Sequence, residues 1–127
     1  MRNKLLALLA VAVGLGVASG PLVAHHSTTS YDTQHPVTFA ATVTGFEFVI
    51  PHVLIHFEVK DESGNVKKWT ALTAPPQKLY RAGWSKKSLK PGDQITITGA
   101  PHKEGRKEMA LGKLVGPDGQ ELRLEAE

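Results

Sequence analysis

From Val37 onward, apolar residues recur at every second position, and nothing else in the chain limits its fold as strongly. Val37, Phe39, Ala41 and Val43 alternate with Thr38, Ala40, Thr42 and Thr44. Period two is the repeat of a strand with one buried face. After Gly45 the phase flips, and Phe46, Phe48 and Ile50 become the apolar set. A flip at a glycine inside one strand predicts a bulge or sharp bend, which lets a single strand serve two sheet faces. The second run is cleaner. Val53, Ile55, Phe57 and Val59 form an apolar face, and His52, Leu54, His56 and Glu58 form the opposite, outward one.

Turn residues divide the remainder. Asp61 to Asn65 predicts a hairpin into a third strand over Val66 to Thr73. Pro75-Pro76 opens a short helix over Gln77 to Ala82, and Gly83 stands where a C-terminal cap belongs. Pro91-Gly92-Asp93 leads into a fourth strand, Gln94 to Gly99, and Glu108 to Val115 reads as a fifth. Leu122 and Leu124 suggest a short sixth. The expected fold is mainly β: a small OB-like β-barrel of five to six strands, with one short helix between strands three and four. Closure hides sheet edges that a domain this small has few other ways to cover. An open sandwich of the same strands is the alternative.

The residues ahead of this body read as an address. Arg2 and Lys4 give a positive start, and Leu5 to Ala18 is almost unbroken in Leu, Ala, Val and Gly. Gly20-Pro21 breaks the run, and Ala24 closes it with a small residue. That is the pattern of a secretory signal peptide, and the run falls short of the ~20 residues a membrane span needs. The expected organisation is a signal peptide over 1–24, a histidine-bearing arm over 25–36 and the barrel over 37–127. The expected location is the periplasm or the cell exterior, with no stable membrane anchor after cleavage.

Composition removes several classes of function. The chain has no Cys, which excludes disulfides, thiolate zinc sites, iron–sulfur clusters and a cysteine nucleophile. Cleavage would take two of its 15 Lys and Arg and leave a body close to neutral against 12 Asp and Glu. With an aromatic share of 6%, this makes no case for nucleic acid as a partner.

The chemistry rests on histidines. Cleavage after Ala24 would make His25 the first residue. A terminal histidine offers its α-amine and a ring nitrogen to one metal ion. A third nitrogen from another histidine would complete a T-shaped, near-planar set, the histidine brace. All-nitrogen planar sites suit Cu(II), so copper is the cofactor this pattern suggests. His26 offers a second mode, through the amine, the intervening amide and its own ring. The alternative is a polar chain start with no metal role. His52, after Pro51 at the mouth of the second strand, is the internal partner of choice. His35 and His56 rank second. His52 and His56 are four residues apart, about 13 Å along a strand, so they do not share one ion directly. His56 reads as an ordinary solvent-facing residue, and His102, Lys103, Arg106 and Lys107 read as a solvated loop. Glu47, the charged residue within Phe46 to Ile50, is either an edge carboxylate or a hydrogen-bonding support for a histidine ring.

No catalytic constellation is apparent. Ser27, Ser30, Ser63, Ser85 and Ser88 lie in no nucleophile elbow, and Asp32 has no evident acid/base partner. Phosphate loops, metalloprotease helices and calcium loops are absent from the sequence. The expectation is a monomeric binding module rather than an enzyme, for copper or for an unknown protein or small ligand.

One resemblance covers nearly all of residues 25–127. It runs through Ala24-His25-His26-Ser27, Asp32, Glu47, Pro51-His52, Gly64, Trp69 and Gly83-Trp84. It continues at Leu89, Pro91-Gly92-Asp93, Gly99 and Asp118-Gly119. In these residues the chain resembles a family of small exported bacterial proteins carrying a domain of unknown function. It departs from that pattern at Ile50, where asparagine is usual, and at Leu54, where tryptophan is frequent. The resemblance implies a periplasmic or secreted small β-domain and no particular activity.

Overall fold

A computed structural model describes residues 28–127. After a 3-10 turn at Thr28–Ser30 come strands β1 (Val37–Glu47), β2 (Leu54–Lys60) and β3 (Val66–Leu72). Helix α1 (Pro76–Arg81) follows, then β4 (Gln94–Pro101) and β5 (Glu108–Val115). The strands close into a barrel in the order β1-β2-β3-β5-β4. All neighbours are antiparallel except β3 and β5, which run parallel. This is the mainly β, OB-like barrel expected, with its one helix between the third and fourth strands.

The phase flip at Gly45 is a bulge. The β1–β2 register shifts between Val43 and Gly45, so Gly45 stands opposite His56. Before the bulge β1 pairs with β4, and after it with β2 alone. The alternation in β2 holds as read: Val53, Ile55 and Phe57 are buried, and the intervening residues are not. These side chains meet Val43, Ile97, Met109 and Leu114 in a continuous core. Each large side chain removed from water here contributes about 2–3 kcal/mol. Trp69 lies at the edge of that core, 5.0 Å from Phe39 and 6.3 Å from Phe57, ring centre to ring centre.

A six-residue helix is marginal by itself, so α1 depends on its ends and its packing. Pro76 occupies the first turn, where no N–H is needed. At the other end Gly83 adopts φ 99°, a left-handed conformation that suits glycine. Its N–H donates to the Tyr80 carbonyl (3.0 Å), and that of Trp84 donates to Leu79 (2.9 Å), which caps the helix. Leu79 and Trp84 are thereby driven into the core.

Two expectations fail. Leu122 and Leu124 do not form a sixth strand; only an isolated bridge, Val115 to Glu121, is present. Their side chains pack on the core instead, and the Arg123 carbonyl accepts a 2.7 Å hydrogen bond from the Trp84 indole. Pairing with β5 stops at Leu122, whose N–H donates to the Leu114 carbonyl (2.9 Å), because the chain beyond it covers Trp84. Ile50 is not inward either. It is 87% exposed, because β1 ends at Glu47 and Ile50 stands in the bend that leads towards β2.

Candidate functional site

The outward face of β2 and β3 carries the polar chemistry of the domain. Register places Leu54 opposite Leu72, His56 opposite Thr70 and Glu58 opposite Lys68. The parallel β5 continues that face, with Glu108 beside Thr70. The arm that precedes β1 is stitched to the far end of β4. Asp32 N–H donates to the Pro101 carbonyl (2.8 Å), and Lys103 N–H donates to that of Ser30 (2.9 Å). Tyr31 forms an isolated antiparallel bridge with His102, and their rings meet edge to face at 5.3 Å.

This stitching borders a half-open pocket of about 390 Å³. Ser30 and Tyr31 of the arm form one wall, and His102, Arg106 and Glu108 form another. Leu54, Thr70 and Leu72 form the floor. Tyr31 is 9% exposed. Burial holds its phenol above the ordinary value, and the Glu108 charge adds to this, while Arg106 opposes it.

His52 lies two residues before Leu54, about 7 Å along an extended chain. Val53 extends the β2–β3 ladder through 3.0 Å bonds to Ala74 and Thr73, which fixes the backbone at His52. The ring Nδ1 lies 3.0 Å from the Thr73 carbonyl. A carbonyl only accepts, so Nδ1–H donates and the neutral ring carries its lone pair on Nε2. Metal-binding histidines are commonly oriented by such a bond from the other ring nitrogen.

His56 is not the plain solvent-facing residue expected. Its Nε2 lies 2.6 Å from Glu47 Oε2 and its Nδ1 2.9 Å from Thr70 Oγ1. Glu47 thus supports a histidine ring, the second of its two anticipated roles. The bulge makes this possible. A Cβ at Gly45 would stand 3.2 Å from His56 Cδ2, so glycine leaves the ring room to reach Glu47. With both nitrogens engaged, this ring would have to give up a partner to bind an ion.

His35 is held apart from the pocket. Its Nδ1 donates to Asp32, 2.9 Å from Oδ2 and 3.1 Å from Oδ1. That bond keeps the Asp32 carboxyl below its ordinary value, so Asp32 does have a partner. His102 is no idle loop residue, since its Nδ1 accepts from Glu104 N–H (3.1 Å) and its ring shields Tyr31. His25 and His26 lie outside the described residues. Among the described residues, no group of three or more His, Asp or Glu is placed to hold a metal ion.

Sequence reasoning passed over Tyr31, Thr70 and Glu108, and took Arg106 for loop surface. The available signal was strand order. An OB-like barrel turns its β4–β5 loop toward the outward β2–β3 face, which is where such barrels bind ligands.

One protein-family model matches residues 12–111, and its description is a family of unknown function (DUF6152). No curated protein and no solved structure matches the chain.

Proposed function

The chain belongs to that family, DUF6152, and from this premise we propose that the protein is an exported binding module that takes up Cu(II) at its processed N-terminus. The α-amine and ring of His25 supply two donors, and Nε2 of His52 supplies the third. His26 stands beside them as the alternative ring. The location is the periplasm or the cell exterior, as the pattern over residues 1–24 suggests.

The observation that carries this reading is the state of His52. Its backbone is held by the β2–β3 ladder, and its Nδ1–H is spent on the Thr73 carbonyl. That bond sets the tautomer and orientation of the ring, as it does in histidines that bind a metal through the other nitrogen. The position of the arm supports it. Ser30 and Leu54 line one pocket, and Leu54 is two residues from His52. His25 is five positions before Ser30, which allows a reach of up to ~17 Å. Copper tops the divalent affinity order for nitrogen sites, and metal competition removes the amine proton, whose ordinary pKa is near ~8.

The test is mass spectrometry of the exported protein, followed by Cu(II) titration. The reading requires a chain that begins at His25 and binds one equivalent. A chain that begins elsewhere removes the brace.

A further inference from the structure

The pocket between the arm and the β2–β3 face holds a charge that the fold does not answer. Glu108 is half-buried on its wall. Among the described residues its carboxylate has no hydrogen-bond or ion-pair partner. That carboxylate is only partly screened from water, and a ligand bearing a cationic N–H group would supply the donor that the protein does not. Arg106, two residues earlier, lines the same pocket. Its ion pair with Glu104, at 3.4 Å, is exposed on both sides, and pairs of that kind hold a guanidinium weakly. The floor between these charges is aliphatic, from Leu54 and Leu72. Tyr31 lines the side of the pocket that the arm provides.

The geometry points to a binding site for a small zwitterion with an aliphatic side chain, a free α-amino acid of the leucine or valine type. Its ammonium group would face Glu108, its carboxylate Arg106, and its side chain the two leucines. The volume, about 390 Å³, admits such a molecule and lies within the ~300–1,000 Å³ common for small-ligand sites. Glu108 and Arg106 both line this pocket, and both act on the Tyr31 phenol, in opposite senses. Complementarity of charge, rather than pocket size, selects this class. A simple anion would leave Glu108 unanswered, and a simple amine would leave Arg106 with its weak surface pair. This inference goes beyond the copper reading and does not depend on it.

The test is a titration of the full chain with L-leucine, followed by amide NMR in the presence of a metal chelator. L-Leucine should give saturable shifts at Ser30, Tyr31, Leu54 and His102. N-Acetyl-L-leucine lacks the ammonium group and leucinamide lacks the carboxylate, so each should bind about tenfold more weakly or worse. Glu108→Gln should abolish the preference for the free amine, and Arg106→Gln that for the free carboxylate. No saturable shift with L-leucine would overturn the proposal. So would N-acetyl-L-leucine binding as tightly as L-leucine, which the unaltered protein alone can reveal. Because the chelator excludes copper, failure here leaves the copper reading standing, and success does not support it.

Discussion

Glu47 Oε2 lies 2.6 Å from His56 Nε2, across the bulge that Gly45 introduces between β1 and β2. The contact couples two strands at the point where β1 leaves β4. Glu47 and Thr70 engage both nitrogens of His56, whereas His52 spends Nδ1 on a backbone carbonyl.

Glu47→Gln and His56→Ala should each lower stability by about 1 kcal/mol, the scale of a part-exposed polar contact. The double variant should cost less than the sum of the two, since one interaction is lost in each case. Urea denaturation measures all three. Additive losses would mean that the pair does not act as a unit.

Gly99 sits where the β4–β5 register shifts. A Cβ there would stand 2.5 Å from the Ala110 carbonyl oxygen and 2.6 Å from Met109 Sδ. Gly99→Ala should therefore cost about 3 kcal/mol, because backbone rather than a flexible side-chain end must move. Gly112→Ala is the control, with its nearest contact at 3.4 Å and a change expected within about 1 kcal/mol. Thermal denaturation of both variants separates them.

Asp93 gives the acid limb of the stability curve a definite origin. Its carboxylate, 8% exposed, accepts from Lys90 Nζ (2.9 Å) and Lys90 N–H (3.0 Å). The Lys90 side-chain bond is the largest cause holding its pKa below the ordinary 3.8. A depressed folded-state value stabilises above the unfolded pKa, and that contribution is lost as pH falls through the folded value. The stability difference between the native protein and Asp93→Asn should be constant near neutrality and shrink below about pH 4. Urea melts from pH 7 down to ~2.5 check this, and a pH-independent difference would contradict it.

Much of the barrel was legible because its cause is local. The alternation over Val53 to Val59 needs only the pleat of a strand, and the flip at Gly45 needs only a residue without a side chain. Pro76 and Gly83 mark the helix ends for equally local reasons. What escaped depends on distant partners. Leu122 and Leu124 alternate like a strand, but both pack on the core, and the carbonyl of Arg123 between them meets the indole of Trp84. Glu47 was recognisable as a support for some histidine. That the histidine is His56 follows from the bulged register, which places Gly45 opposite it. The pocket was least legible. Tyr31 and His102 are joined by a bridge across 71 positions of sequence, and no local pattern announces it.

The proposed copper site is tested most directly by electron paramagnetic resonance of the exported protein loaded with one equivalent of Cu(II). The native protein should give a single axial signal with hyperfine structure from three nitrogens. His52→Ala should lose one of them, and His56→Ala should leave the spectrum unchanged. A native spectrum identical to that of His52→Ala, or no bound copper at all, would contradict the account.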